Sequence, residues 1–268
     1  MPQSPIFETV LFEKRGSAAW ITFNRPEAMN AMSPRQAADL NAALDAVEAD
    51  RDFRCVVITG TGRAFCAGAD LKEVKALGEG EDRERARKAF LDFTRSVLRR
   101  IELFPMPVIA AVNGLALAGG LEVVLVCDLV IAAEEAKLGD QHAQFGLLPG
   151  WGGSVRLPRK IGVNRAKELM FTARHVPART MMEWGLVNQV VPLAELETAT
   201  AALAAGLEDK SPLGLAAMKR MADDGMEQPL EVALRYETAI VDGFQDSHDR
   251  QEGLRAFAEK RKPQFKGR

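Results

Sequence analysis

The sequence predicts an α/β fold with mostly parallel strand pairing, and two observations carry that expectation. Short β-rich apolar runs recur along the first two thirds of the 268 residues, and stretches with alanine and leucine at helical spacing separate them. Strands that alternate with helices pair in parallel, because a helical crossover brings the chain back to the same sheet. No fixed-period sequence repeat stands out.

Trp20-Ile21-Thr22-Phe23 reads as a strand, a helix is expected to start near Ser33-Pro34, and Arg54 to Thr59 reads as the next strand, so these form a strand, helix, strand unit. Leu77 to Arg100 is strongly charged and opens with Gly78-Glu79-Gly80-Glu81-Asp82; it is expected to be a mobile loop feeding an exposed amphipathic helix, either a solvated face or a substrate lid. Further strands are expected at Val108 to Val112, Leu129 to Ala132 and Val187 to Val191. After Asp209-Lys210-Ser211-Pro212 the strand signals stop and helical patterns run to the end. This divides the chain into a core, residues 1–209, and a helical appendage, residues 210–268, that is expected to pack on a neighbour.

Composition excludes several function classes. A formal net charge of -2 and a pI near 6.0 give no global attraction to nucleic acid or to an anionic membrane, so any anionic ligand must be held locally. Cys55, Cys66 and Cys127 lack CxxC spacing, which argues against disulfides and zinc and for a reducing compartment. His142, His175 and His248 lie far apart without an HExxH context, so no metal centre is expected. Met1 to Thr9 shows no basic region followed by an apolar one, and no apolar stretch reaches the roughly 20 residues of a membrane span. The expected location is the cytoplasm.

Two glycine-containing turns carry the candidate chemistry. Ala64-Phe65-Cys66-Ala67-Gly68-Ala69-Asp70-Leu71 follows the second strand, and Asn113-Gly114-Leu115-Ala116-Leu117-Ala118-Gly119-Gly120-Leu121-Glu122 follows the third. Each leads from a strand into a helix, where the first helical amides lack internal partners and the dipole favours negative charge. One amide from each turn could converge on a single carbonyl oxygen as an oxyanion hole, each donor worth about 2.7–4 kcal/mol in a transition state. The alternative is that the glycines only make tight turns. Neither turn spells GxGxxG, no GKS or GKT follows a glycine loop and no GxSxG occurs, which disfavours nucleotide cradles and serine hydrolase chemistry.

With these motifs the chain resembles the crotonase (enoyl-CoA hydratase/isomerase) superfamily, from Asn24-Arg25-Pro26 to Glu259-Lys260-Arg261-Lys262-Pro263. Phe65 to Leu71 looks like that family's first oxyanion turn, Pro107 to Glu122 like its second, and Gly146 to Leu157 like its PGxGGxxRL segment. The resemblance implies a spiral of repeated ββα units with a C-terminal helical trimerisation region, and a homotrimer or dimer of trimers. It implies an acyl-CoA thioester as substrate, with coenzyme A entering as part of that substrate and no separate cofactor. By the same resemblance the oxyanion donors are the amides of Ala69 and Gly119, the adenine lies near Ala28, Ala67 and Leu71, and Arg25 lies near the phosphates. Phe257 and Lys260 match tail positions that reach the coenzyme of an adjacent subunit. Glu27 departs from the lysine or arginine often found at its position, which removes a second phosphate contact there.

Glu122 matches the first of two glutamates with which enoyl-CoA hydratases of that family hold water, and one turn into a helix beside the thioester it is placed to accept a proton. The alternative is a capping or helix-surface glutamate. The second glutamate is missing, and His142 stands at its position. An imidazole titrating near pH 6.5 can hold water and deliver a proton to carbon. In an extended segment residues two apart share a face, so Asp140 either orients His142 or is itself the second acid. Gly150 and Trp151 are expected beside the acyl group; the bulk of Trp151 either selects among acyl chains or simply fills the core. Met181, Met182 and Trp184 are assigned to a helix packing behind the pocket.

Hydration of a 2-enoyl-CoA is therefore the expected reaction, with double-bond isomerisation and thioester or β-diketone hydrolysis as alternatives suited to a one-glutamate site. A non-catalytic CoA- or RNA-binding protein is the alternative of another class. With 6% aromatic residues and no basic stripe, the footprint of nucleic-acid binding is missing.

Overall fold

A computed structural model describes residues 6–268 of the chain. The first five residues of the stretch without a leader pattern lie outside those described.

The chain opens with a hairpin, β1 (Val10–Arg15) and β2 (Ala18–Phe23), paired antiparallel. Helix α1 (Pro34–Ala49) starts where Ser33 accepts a hydrogen bond from the Gln36 amide, with proline in its first turn. Three successive units then repeat one plan: a long strand, a short strand and a helix. The long strands are β3 (Cys55–Gly60), β5 (Val108–Val112) and β7 (Leu129–Ala133). The short ones are β4 (Ala64–Cys66), β6 (Leu115–Leu117) and β8 (Lys137–Gly139). Helices α2 (Leu71–Ala76) and α3 (Gly80–Glu102) close the first unit, α4 (Gly119–Leu125) the second, α5 (Gly153–Ile161) the third.

The long strands join the hairpin in a six-stranded sheet of order β1-β2-β3-β5-β7-β10, where β10 is Gln189–Val191. Every pair but the first is parallel. The short strands form a second sheet, β4-β6-β8 in parallel, with β9 (His175–Pro177) antiparallel at its edge. Two stacked ladders advancing in step are a spiral of ββα units. Strands β3 and β5 carry almost unbroken buried apolar residues, as parallel strands covered on both faces require.

Helix α6 (Val163–Thr172) follows α5, and α7 (Ala178–Glu183) carries the buried Met181. Met182 and Trp184 pack partly buried against the core beside it. Helix α8 (Leu196–Glu208) lies across β3, β5 and β7. Beyond it the chain is helical: α9 (Pro212–Met226), α10 (Leu230–Phe244) and α11 (His248–Glu259). Among the described residues no helix is long and apolar enough to cross a membrane.

Three expectations need correction. The short strands β4 and β6 were subsumed in the glycine turns, because three residues are too few to show a period. In the charged segment the expected amphipathic helix is present but starts already at Gly80, so the loop is shorter than expected: the acidic opening, Glu81 and Asp82, sits at a helix N-terminus where the dipole favours it, and Phe90, Thr94, Val97, Leu98 and Ile101 bury one face. Val187 precedes β10 rather than starting it, though it is buried.

Candidate active site

The two glycine turns sit side by side because β4 and β6 are paired neighbours in the second sheet. A β-carbon placed on Gly68 would lie 3.3 Å from the Gly119 nitrogen and 3.2 Å from the Leu117 carbonyl, so the backbones abut and a side chain there, already strained by φ +105°, would crowd them. In the first turn, Met32 and Ala69 form a parallel bridge: Met32 N–H donates to the Gly68 carbonyl and Asp70 N–H to the Met32 carbonyl. That pattern turns the Ala69 amide away from Met32. In the second turn, Ala118 caps α4 at φ 48°, ψ −116°, a strained conformation for a residue with a side chain. It is pinned by its amide bond to the Gly139 carbonyl. Neither the Ala69 nor the Gly119 amide donates to an acceptor among the described residues.

Glu122 lies one turn into α4 and is 2% exposed. Its Oε1 accepts two hydrogen bonds, from the amides of Trp151 and Gly153, both 2.7 Å. Those amides belong to the turn leading into α5, and a β-carbon on Gly153 would come within 3.0 Å of the Glu122 Cγ and Oε1. Oε2 is buried with no hydrogen bond to any described residue. It faces His142, whose Nε2 is 3.8 Å away. Burial pushes the Glu122 carboxyl above its ordinary range, and the bonds from Gly153 and Trp151 and the nearby imidazole only partly offset it.

His142 opens a single 3-10 turn, so the extended geometry expected around it is not what joins it to Asp140. Instead Asp140, 2% exposed, folds its carboxylate back: Oδ1 accepts from the His142 amide and contacts Nδ1, both at 3.0 Å. With a proton on Nδ1 the other ring nitrogen is left to face Glu122. Burial alone would lower the imidazole pKa. The bond and charge of Asp140, joined by the Glu122 charge, outweigh it and hold His142 above its ordinary value. Asp140, His142 and Glu122 thus form one line of contacts, with Asp140 behind the imidazole.

Trp151 is buried, its indole against Gly119: a β-carbon there would fall 2.1 Å from Cζ3. Phe90 of α3 meets it edge to face, with ring centroids 6.0 Å apart. The main chain around it is held from α3 as well. Arg95 donates to the Gly150 carbonyl at 2.6 Å, and Arg156 donates to the Trp151 carbonyl while pairing bidentately with Glu102 at 2.6 Å on both arms. Nothing in the residue pattern distinguishes Phe90, Arg95 or Glu102 from other members of an amphipathic helix. Only Arg156 carried a signal, as the arginine of the PGxGGxxRL pattern.

The residues expected around the coenzyme divide into two places. Ala67 N–H donates to the Met29 carbonyl, which sets the turn holding Ala28 beside it, and Leu71 is 48% exposed on the same edge. Arg25 is nearby but engaged: its guanidinium donates to the Ala31 carbonyl, Asp70 and Glu73. Phe257, 86% exposed, and Lys260, the left-handed cap at φ 53°, end α11.

A family model described as enoyl-CoA hydratase/isomerase matches residues 13–268. The chain belongs to the enoyl-CoA hydratase/isomerase family. A short-chain-enoyl-CoA hydratase of Clostridium acetobutylicum is 36% identical over 261 residues, covering 97% of this chain and 98% of its own length. A crotonyl-CoA hydratase of Syntrophomonas wolfei is 37% identical over 260 residues, with 97% and 98% covered. The crystal structure of an enoyl-CoA hydratase from Bacillus anthracis superposes with a TM-score of 0.90 at 38% identity, covering 97% of this chain and all of that one. The enoyl-CoA hydratase/isomerase fold is thus the two-ladder spiral described above. In this member of the family an Asp-His pair faces the buried glutamate.

Proposed function

We propose that this chain is an enoyl-CoA hydratase that adds water across the double bond of a 2-enoyl-CoA thioester. The observation that carries the reading is the pairing of Glu122 Oε2, buried and unpartnered, with a His142 ring nitrogen 3.8 Å away. A carboxylate oxygen kept out of solvent with a raised pKa is a base waiting for a proton.

The steps follow from the contacts. The thioester oxygen sits on the amides of Ala69 and Gly119, the oxyanion hole of this reading. Water donates one hydrogen to Glu122 Oε2 and accepts from His142 Nε2–H. As its oxygen attacks the β-carbon, Glu122 takes the proton and negative charge gathers on the thioester oxygen. The doubly protonated imidazole, stabilised by Asp140, then gives its Nε2 proton to the α-carbon. The product is a 3-hydroxyacyl-CoA. Coenzyme A is part of the substrate, with its adenine against Ala28, Ala67 and Leu71, and no separate cofactor takes part. Gly150 and Trp151 bound the acyl side.

The reading includes a homotrimer or dimer of trimers, in which the exposed Phe257 and the neighbouring Lys260 at the end of α11 reach an adjacent coenzyme site, and a cytoplasmic location. A panel of 2-enoyl-, 3-enoyl- and 3-hydroxyacyl-CoA thioesters, read by mass, tests the reaction. Gain or loss of water is expected, falling about 10²–10⁴-fold in each of Glu122→Gln and His142→Ala. Full activity in both variants would overturn the assignment of base and acid.

A further inference from the structure

We infer that Arg25 is a positioning residue for the oxyanion amide of Ala69 rather than a ligand of the coenzyme phosphates; this rests on the hydratase reading of the site. Arg25 is mostly buried, its side chain 16% exposed, and its guanidinium is already spent. One terminal nitrogen donates to the Ala31 carbonyl at 2.9 Å. The other donates to Asp70 at 3.0 Å and to Glu73 at 2.5 Å. Two carboxylates on one nitrogen leave little net positive charge to attract a phosphate.

What these bonds join is informative. Ala31 is followed by Met32, which forms the parallel bridge to Ala69, and Ala69 is followed by Asp70. Arg25 therefore clamps the residue before Met32 to the residue after Ala69. Asp70 is fixed from its other side as well: Oδ1 accepts the amides of Lys72 and Glu73 as the cap of α2, and its own amide donates to the Met32 carbonyl. The base of the arginine is held by Asn30, whose Oδ1 accepts from the Arg25 amide while its Nδ2 donates to the carbonyls of Thr61 and Ala64. Every neighbour of the Ala69 peptide is thus tied down, and its free amide is aimed by exclusion. The planar fork of arginine can reach a carbonyl and a carboxylate together; a lysine, with one nitrogen, cannot reproduce that span.

The test separates the two roles in the intact enzyme. Arg25→Gln and Arg25→Lys are compared with wild type in three measurements. These are the steady-state split of kcat and KM on a 2-enoyl-CoA, the calorimetric Kd of free coenzyme A, and the infrared stretch of the thioester carbonyl of bound butanoyl-CoA. That saturated thioester has no double bond to hydrate, so its carbonyl reports on the oxyanion amides even if the hydration reading fails. The expected result is a fall in kcat of about 10–100-fold, the scale of a misplaced donor, with Arg25→Lys intermediate. KM and the coenzyme Kd should stay within about threefold, and the low-frequency shift of the butanoyl carbonyl should shrink. Should Arg25→Gln fail to fold, Arg25→Lys carries the same three readings. A coenzyme Kd weakened about tenfold or more with kcat and the carbonyl shift unchanged would overturn the inference and make Arg25 a phosphate ligand.

Discussion

The chemistry rests on two oxygens of one side chain having different surroundings. Glu122 Oε1 is saturated by two amides, which fixes the carboxylate plane, while Oε2 is buried without a hydrogen bond to any described residue. The raised pKa means that the folded state holds this proton more tightly than the unfolded chain does. Its cost to stability is present above the folded pKa and is relieved as pH falls through it. Glu122→Gln removes the buried charge, keeps an oxygen for the two amides, and should match or exceed wild type in melting temperature. Activity requires Glu122 ionised and His142 protonated, so the pH profile should be a bell whose acid limb lies above the usual carboxylate range and whose alkaline limb lies above the usual imidazole range. Asp140→Asn removes the bond and charge that raise the imidazole. The alkaline limb should then move to lower pH, and a limb that stays in place would show that Asp140 does not tune His142. The glutamate and histidine were legible in the sequence by position. So was Asp140 behind the histidine, but the clamp on Glu122 was not, because the Trp151 and Gly153 amides are backbone atoms without a residue-type signature.

At the scale of elements, the site is a junction of three turns, each at a strand-to-helix or loop-to-helix step of one ββα unit. Periodicity found the long strands, whose apolar runs fill both faces of the larger sheet, and the helical tail. It could not find β4, β6 or β8, three residues each, although these carry the turns to one another. Helix α3 was half legible: its apolar stripe is regular, but its acidic first turn resembles a loop until the dipole is considered. What α3 contributes to the site is long-range. Glu102 grips Arg156 across 54 residues, and Arg156 holds the Trp151 carbonyl. Gly152 sits at φ +105°, a conformation that favours glycine, and a β-carbon there would fall 1.8 Å from the end of that guanidinium and push it aside. Breaking the partly buried pair with Arg156→Gln should cost about 1–3 kcal/mol, between exposed and fully buried ion pairs, measured by urea unfolding. It should also lower kcat by freeing the turn that clamps Glu122; unchanged stability and kcat would show that the turn holds itself.

For the whole molecule, the tail is the part least explained by a single chain. Helix α10 buries no residue completely; Met226 and Leu230, at the turn between α9 and α10, and Leu254 and Phe257, on α11, are more than half exposed. Large apolar side chains left exposed on successive helices are what a surface awaiting a partner presents. Sedimentation should show a trimer or a multiple of it. Phe257→Ala should raise KM for the thioester several-fold with kcat nearly unchanged, as expected if this side chain serves binding across a subunit boundary. A monomer with wild-type kinetics would remove the tail from the site.

The most direct measurement of the central claim is a turnover of crotonyl-CoA in water labelled with heavy oxygen, followed by mass spectrometry of the intact thioester and of the free acid. If the paired amides carry an enolate while Glu122 and His142 handle the protons, the heavy oxygen appears on the β-carbon of an intact 3-hydroxyacyl-CoA. Label in a released carboxylic acid, or an isomerised thioester with no label at all, would contradict it.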